Sequence, residues 1–331
     1  MTGPRIIFHI GGAKCGSSAI QGYLRQNHAT LRDHGTLVPG TKLDLDSDIL
    51  GESIWFMERM MGQDDGPDVL RRRIARLATH ARQTGAHTVV ISAENMCNHA
   101  RLAEILRAAT AGLDALVVLY VRRQDDYFLS AWQQWNMKRY TSLAEYVDRR
   151  AGLDADWLGI ATTWADAFGD ACVRVRPFAR DRLIGGDVVT DFLSVTGIDT
   201  EGSAPLTAPA NLSFDDHLGE MAHRIRDVFD GPHDNEFFMV MARLLGKDVF
   251  RKASGSHLMT LAERQALMSH YDAANETLKQ RFIPDLGAAP LFRPPSEDDV
   301  RPMTEVERLQ AENALLMRCV YQLARKLEAR Q

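Results

Sequence analysis

Residues 5–18 have the sequence RIIFHIGGAKCGSS, and this stretch predicts the fold. Most of its first six residues are apolar and predict a short buried strand, which ends at two consecutive glycines. From Ser17 to about Asp33, apolar residues recur at helical spacing. A strand, a glycine loop and a helix in this order predict the first unit of a parallel α/β sheet.

The rest of the chain continues this alternation of strands and helices. Further strand-like runs are 36–38, 87–92, 113–121 and 172–177, and helical patterns cover 50–62, 68–84, 101–111, 125–138 and 187–195. From about residue 211 to 282 the pattern is helical alone, which predicts a helical cap. We therefore predict one α/β domain over residues 1–292, with a P-loop-type parallel sheet flanked by helices and this cap.

The C-terminal part has a different pattern. Residues 293–303 are rich in proline and charge, which predicts a linker. Residues 304–331 predict an amphipathic helix, because apolar residues recur at alternating steps of three and four. The stripe consists of Val306, Leu309, Leu316, Val320, Leu323 and Leu327, with Asn313 at an a position of the heptad. Two interpretations stay open: a short coiled coil that forms a homodimer, or a helix that docks on its own domain.

Composition limits the classes of partner and compartment. The chain has 331 residues, of which 45% are hydrophobic and 25% charged, as in ordinary globular proteins. A net charge of −5 and a pI of about 6.1 argue against a nucleic-acid partner, which would require a basic excess. The four cysteines and eleven histidines show no metal-ligand spacing, so we expect no metal. With no secretory segment and no apolar run of membrane-spanning length, we expect a soluble, cytoplasmic protein.

The glycine loop predicts an anion site. Backbone N–H groups and the positive end of the following helix attract an anion there, and Lys14 adds a positive charge. The loop departs from that of nucleoside triphosphatases, because serines follow Gly16 where a Gly-Lys-Ser/Thr sequence would stand. ATP hydrolysis is therefore disfavoured.

Charged residues follow two of the other predicted strands. Arg122 and Arg123 come after the run 113–121 and suit a second phosphate, whereas Glu94 comes after the run 87–92 and is a candidate general base. Because the carboxyl ends of parallel strands lie at one edge of a sheet, we expect all of them near the glycine loop. The alternatives are a solvated arginine pair and a helix-capping acid.

These motifs resemble those of the sulfotransferase family that uses 3′-phosphoadenylyl sulfate (PAPS), in particular its bacterial and glycan-modifying members. HIGGAKCGSSAIQGYL (9–24) resembles the family's 5′-phosphosulfate loop, and YVRRQDDYFLSAW (120–132) resembles its 3′-phosphate motif, with Ser130 eight positions after Arg122. VISAENM (90–96) is similar to the segment that carries the catalytic glutamate, and FRKASG (250–255) is weakly similar to a loop that closes on the 3′-phosphate. The resemblance covers residues 5–292. Cys15, Gln124 and Ala253 depart from the family's pattern.

The resemblance implies in-line transfer of the sulfuryl group of PAPS to an acceptor hydroxyl, with adenosine 3′,5′-bisphosphate (PAP) as product and no metal. The acceptor would be a sugar, a glycolipid or another small molecule, with Glu94 as base and Lys14 stabilising the leaving phosphate. The implied cofactor-binding residues are Gly12, Ala13, Lys14, Cys15, Gly16, Ser17, Ser18, Arg122, Ser130, Arg251 and Lys252. Two other classes stay open: a P-loop small-molecule kinase, and a non-catalytic nucleotide-binding or assembly protein.

Overall fold

A computed structural model describes residues 3–45, 53–206, 215–246 and 254–329. These residues form a mixed α/β fold in which a parallel five-stranded sheet is flanked by helices, as predicted. The strands are β1 (Arg5–His9), β2 (Thr36–Leu37), β3 (Thr88–Ser92), β4 (Ala115–Val121) and β5 (Val173–Pro177). Their order in the sheet is β2-β3-β1-β4-β5, and every neighbouring pair is parallel.

The helices of the described ranges are α1 (Ser17–Gln26), α2 (His28–Asp33), α3 (Ile54–Met61), α4 (Gly66–Thr84), α5 (Ala100–Ala109), α6 (Gln124–Gln134), α7 (Leu143–Arg150), α8 (Trp157–Phe168), α9 (Val188–Thr196), α10 (Asp216–Arg224), α11 (Glu236–Leu245), α12 (Leu261–Phe282) and α13 (Glu305–Glu328). The single helix predicted over 17–33 is two helices that meet at Asn27. The amide group of Asn27 donates to the Ala204 carbonyl (3.0 Å) and accepts from the Ala204 N–H (2.8 Å), a contact with a distant segment. Among these helices, none has the length and apolarity that crossing a lipid bilayer requires.

The chain forms two compact units. The first consists of Met1–Arg122, Ala155–Asn211 and Ala273–Phe292, and contains the sheet. The second consists of Arg123–Asp154, Leu212–Asp272 and Arg293–Gln331. The ranges 123–154 and 212–272, which lie within the predicted α/β domain, group with the C-terminal segment.

The sheet of the first unit explains where its loops meet. β1, β3 and β4 are almost wholly buried, which accounts for their continuous apolar sequences. β1 and β4 are neighbours in the sheet. After β1 the chain continues on the side of β2 and β3, and after β4 it continues on the opposite side, to β5. Such a reversal of strand order opens a crevice beyond the carboxyl ends of the strands, where ligands bind in open α/β sheets. The loop after β1 and the end of β4 both lie at this place.

The second unit has a core of its own, and α13 is part of it. Trp132, Tyr146 and Phe238 are buried in this core together with Leu315 of α13. The face of α13 that docks consists of Glu312, Leu315 and Cys319. Arg224 holds the Glu312 carboxylate with two hydrogen bonds, of 2.8 and 3.0 Å. The helix therefore docks on its own unit.

The predicted apolar stripe of α13 is a different face of the helix. Its six apolar residues, Val306, Leu309, Leu316, Val320, Leu323 and Leu327, are 46–63% exposed. Asn313 is exposed as well. Docking on the second unit thus leaves the stripe uncovered among the described residues.

The segment predicted as a linker, 293–303, is packed in the second unit. Asp299 is half-buried and its carboxylate accepts from Arg123 (3.1 Å), and its carbonyl accepts from the Ser256 N–H (3.0 Å). The Arg301 N–H then donates to the Ser256 carbonyl at 3.0 Å. These contacts fix the start of α13 against residues far away in the sequence.

Candidate functional site

The glycine loop connects β1 to α1 by a tight turn that leaves no room for a side chain at Gly12 or Gly16. The Cys15 N–H donates to the Gly12 carbonyl at 3.2 Å, which closes the turn. A Cβ at Gly12 would lie 2.8 Å from the Tyr120 carbonyl oxygen of β4, and one at Gly16 would lie 2.8 Å from the Phe178 ring. Gly16 also has a φ of 87°. Both positions therefore require glycine, one for close approach and one for conformation as well.

Gly16 is the N-cap of α1 and offers no side chain to accept from the first turn of the helix. The leading N–H groups of a helix have no intrahelical acceptor, and they carry the positive end of its dipole. The Ala19 and Ile20 amides donate to the Gly16 carbonyl, which leaves those of Ser17 and Ser18 as candidate donors for an anion.

Arg122, at the carboxyl end of β4, contacts the same loop. Its Nη1 donates to the carbonyl of Lys14 at 3.0 Å, and its guanidinium lies 6.0 Å from the centre of the Phe178 ring. The backbone of Arg122 is fixed by Trp157, whose Nε1–H donates to the Arg122 carbonyl at 2.7 Å. The sequence predicted two separate anion loci, and the structure brings the Arg122 side chain onto the first of them.

Glu94 lies at the same edge of the sheet, directly beyond β3. The Asn95 N–H donates to the Gly11 carbonyl at 3.2 Å, so this segment runs beside the loop. A Cβ at Gly11 would lie 3.1 Å from the Glu94 Cα. Asn95, and not Glu94, is the N-cap of the short 3₁₀ helix Met96–Asn98. The half-buried Glu94 is therefore not the capping acid of the alternative interpretation.

Lys14, Arg122 and Glu94 interact electrostatically. The pKa of Lys14 is lowered to about 8, mainly by burial and secondly by the Arg122 charge, while the Glu94 carboxylate acts in the opposite direction. Lys14 is therefore still mostly protonated at neutral pH, although less firmly than an exposed lysine. Two cations and one carboxylate thus meet at the glycine loop.

The other predicted loop residues differ in exposure. The hydroxyl of Ser17 is buried and donates to the Gly12 carbonyl at 3.4 Å, whereas Ser18 is exposed at the start of α1. Cys15 is buried, its thiol donates to the Ala13 carbonyl at 3.4 Å, and burial raises the pKa of that thiol. The Cys15 thiol is therefore not an anion ligand, and its backbone N–H already closes the turn; a role of Ala13 in anion binding would be one of the backbone.

The remaining predicted residues lie elsewhere. Ser130 is a half-buried residue of α6 in the second unit, and its part in a 3′-phosphate site stays a prediction. Arg251 and Lys252 lie outside the described residues, so the weak third motif is not described either. Arg123 is buried and pairs with Asp125 at 2.6 Å. Of the two adjacent arginines, Arg122 is thus the one whose guanidinium contacts the loop.

Two aromatic residues of the site were not predicted from the sequence. Trp157 begins α8 and packs against Gly12, while Phe178 follows β5 and packs against Gly16. Phe178 could have been found, because it directly follows a predicted strand and so lies at the same edge of the sheet. Trp157 gives no such signal, since α8 was not predicted.

A group of potential metal ligands occurs in the second unit. His217, Glu220 and His257 have ligand atoms within 4.8 Å of one another. However, Arg301 lies 3.4 Å from a ring nitrogen of each histidine, and Arg308 pairs with Glu220 at 3.3 Å. A metal-bound imidazole directs its other N–H to an acceptor, and a guanidinium offers none. The group is therefore better described as an ion-pair cluster.

Comparisons with known proteins give two similarities, and no family model matches the chain. A protein of Archaeoglobus fulgidus described as uncharacterized is 27% identical over 169 residues, which are 50% of this chain and 45% of that protein. The chain thus matches less than half the length of this relative. A solved sulfotransferase from Alicyclobacillus acidocaldarius is similar with a TM-score of 0.39 and 18% identity, over 61% of this chain and 85% of that one. Neither similarity establishes a family, and the function is inferred below from the residues of this chain.

Proposed function

We propose that this protein is a sulfotransferase that moves the sulfuryl group of PAPS to an acceptor hydroxyl, with a sugar or glycolipid as the favoured acceptor class. One observation carries the proposal: Lys14, Arg122 and Glu94 meet at a glycine loop that opens a helix, at the carboxyl edge of a parallel sheet. Cations beside backbone N–H groups suit an anionic compound that supplies the sulfuryl group. An adjacent carboxylate suits a hydroxyl that receives this group, because the carboxylate can take its proton.

The loop fits a phosphosulfate group. Gly12 and Gly16 let the turn pack closely against Tyr120 and Phe178, and the first amides of α1 supply hydrogen-bond donors. PAPS, when bound, supplies the activated sulfuryl group. We assign its 5′-phosphosulfate to the loop from Gly12 to Ser18 and its 3′-phosphate to Arg122.

The chemistry left to the protein is charge stabilisation and proton transfer. Lys14 and the α1 amides stabilise the negative charge that grows on the departing phosphate oxygen, as fixed donors do in other group transfers. Glu94 accepts the proton of the acceptor hydroxyl as its oxygen bonds to sulfur. Arg122 uses one N–H on the Lys14 carbonyl, and a guanidinium has five, so it can hold the loop and bind a phosphate together.

Discrimination between PAP and AMP tests the proposal. We expect PAP to bind about tenfold to a hundredfold more tightly by titration calorimetry, because a charge-assisted contact to the 3′-phosphate is worth about 1.5–3 kcal/mol. Arg122→Ala should abolish most of this preference. Arg107→Ala, which removes an exposed arginine on α5, is the matched control and should leave it intact.

Two results would contradict the proposal. Equal affinities for PAP and AMP would remove the role of Arg122 in holding a 3′-phosphate. Turnover of ATP that depends on Mg²⁺ would identify the kinase alternative instead.

We also propose that the chain forms a homodimer through the exposed stripe of α13. The docked face of α13 covers Glu312, Leu315 and Cys319, and the heptad stripe stays free for a second copy.

A further inference from the structure

A basic groove lies beside β2 in the first unit, at the edge of the sheet. Its volume is about 870 Å³. The basic residues that line it are His28 and Arg32 of α2 and Arg72, Arg73, Arg76 and His80 of α4. Among the lining residues Asp44 is the single acid. In a chain of net charge −5, this is a local excess of positive charge.

The basic residues form two columns. Arg72, Arg76 and His80 follow one another at four-residue intervals, so they lie along one face of α4, about 6 Å apart. His28 and Arg32 have the same spacing on α2, and both columns line the groove. Like charges at this spacing destabilise a helix unless an anion lies beside them. Such an arrangement suits a ligand with several negative groups along its length.

Arginines of α4 that do not line the groove have partners on the same helix. Arg71 pairs with Asp68 at 2.7 Å, and Arg82 donates to the Thr79 hydroxyl at 3.1 Å. Within the part of the chain that the structure describes, Arg72 and Arg76 have no carboxylate partner. The uncompensated charge of α4 is thus directed to the groove.

The remaining lining identifies the kind of anion. One carboxylate oxygen of Asp44 is buried and has no hydrogen-bond partner among the described residues, so it needs a donor. Leu37, Leu43 and Leu45 add apolar surface. An acidic sugar suits this lining in three ways: its hydroxyls can donate to Asp44, its C–H faces can contact the leucines, and its negative groups can pair with the arginines. We propose that the groove binds an acidic oligosaccharide.

The position of the groove relates this ligand to the proposed reaction. Val38 lines both the groove and a smaller cavity that reaches Ser92, two residues before Glu94. The register of β2 and β3 places Val38 level with Val90, roughly 13 Å short of Glu94 at about 3.3 Å per residue. Resting on the proposed function, we infer that the groove holds the remote part of an acceptor several sugars long.

Binding of a labelled heparin-derived hexasaccharide to the full chain, followed by fluorescence anisotropy, tests the groove. We expect Arg72→Ala/Arg76→Ala to weaken binding at least tenfold. Arg71→Ala is the matched control on the same helix, and because Arg71 pairs with Asp68 it should change affinity less than twofold. An equal loss in the control would overturn the proposal, since general surface charge would then explain the binding.

Asp44→Asn separates sugar recognition from charge. We expect this variant to bind the hexasaccharide several-fold more weakly, whereas linear polyphosphate of similar charge, which lacks hydroxyl donors along its chain, should bind it no less tightly than it binds the wild type. Polyphosphate that binds the wild type as tightly as the hexasaccharide would overturn the assignment to an acidic sugar.

Titration of PAP and AMP in the same variants keeps the two proposals apart. A clear PAP preference without hexasaccharide binding would overturn the groove alone. Hexasaccharide binding that depends on Arg72 and Arg76, without any PAP preference, would overturn the sulfotransferase proposal and leave an oligosaccharide-binding protein.

Discussion

At the scale of single residues, Lys14 makes the proposed site sensitive to pH. Burial, and after it the Arg122 charge, lowers the pKa of Lys14 to about 8, so the ammonium is lost as the pH rises through 8. The phosphates of PAP are fully ionised above pH 7, because their second pKa is about 6. We therefore expect the affinity for PAP to fall between pH 7 and about 9.5. Calorimetric titration at several pH values measures this.

Lys14→Arg is the matched variant for this pH dependence. A guanidinium stays charged throughout this pH range. The PAP affinity of the variant should therefore be nearly constant over the range in which that of the wild type falls. A wild-type affinity that does not change with pH would show that Lys14 carries no charge to the nucleotide.

The same pKa shift affects folding with the opposite sign. In the unfolded chain the pKa of Lys14 is the ordinary 10.5. Between pH 8 and 10.5 the unfolded state binds more protons than the folded one, so the Lys14 contribution to the free energy of unfolding rises with pH. Deprotonation of Lys14 therefore does not destabilise the fold in this window, and a loss of PAP affinity there has another cause. A melting curve at each pH checks this.

Glu94→Gln should separate transfer from binding. A general base contributes about 10²–10⁴-fold, so we expect transfer of labelled sulfate to fall by that factor. PAP affinity at pH 7 should be kept, because the base faces the acceptor. Lys14→Ala should lower both transfer and affinity. Retention of transfer within about tenfold in Glu94→Gln would place the base at another residue.

At the scale of elements, the turn from β1 into α1 depends on Gly16. An alanine there adopts an unfavourable positive φ and places its Cβ 2.8 Å from Phe178 and 3.1 Å from Val188. We expect Gly16→Ala to lower the free energy of unfolding by about 2–5 kcal/mol, from the backbone strain and the overpacking together. Chemical denaturation measures the loss.

Gly85→Ala is the control for this substitution. Gly85 ends α4 with a φ of 75°, and nothing lies within 4 Å of the position of its added Cβ. Only the backbone strain then applies, and we expect a loss of about 1–2 kcal/mol. An equal loss in the two variants would mean that Phe178 and Val188 move aside without difficulty.

The strands could be predicted from the sequence because their burial leaves a local signal. β4 is buried at all seven positions, and its sequence ALVVLYV is a continuous apolar run. The break at Asn27 leaves no such signal, since the hydrogen bonds that make it come from Ala204. The same holds for the site: strand ends predicted that Glu94 and Arg122 would meet the loop, whereas Trp157 is positioned by a helix that was not predicted.

At the scale of the whole molecule, composition gives little indication of which segments pack together. Proline and charge predicted a linker after residue 292, but Asp299 in that segment pairs with Arg123 at 3.1 Å. Ion pairs between residues so far apart in sequence have no signature in local composition. The C-terminal segment therefore contributes to the second unit while it also exposes a surface of its own.

The exposed stripe of α13 predicts how two copies would associate. In a parallel pair Asn313 faces its twin and the two amides hydrogen-bond, whereas an antiparallel pair places Asn313 opposite an apolar d residue, such as Leu316, and leaves the amide unsatisfied. Docking on the second unit already holds the helix in place, which lowers the entropy lost on pairing. However, Glu312, Cys319 and Lys326, at the g positions, contact their own unit, so the apolar stripe alone drives association.

Removal of residues after Phe292 would also remove Leu315 and Asp299 from the second unit, so substitutions on the stripe are the sharper test of the dimer. We expect the full chain to be dimeric by light scattering at tens of micromolar, and Leu316→Glu to make it monomeric. Ala314→Glu, exposed on another face of the same helix, should stay dimeric.

Asn313→Cys tests the orientation of the pair. It should form a disulfide-linked dimer on oxidation, because a parallel pair juxtaposes the two a positions. A full chain that is monomeric would contradict the dimer, and cross-linking only when Asn313→Cys is mixed with Leu316→Cys would show the antiparallel arrangement.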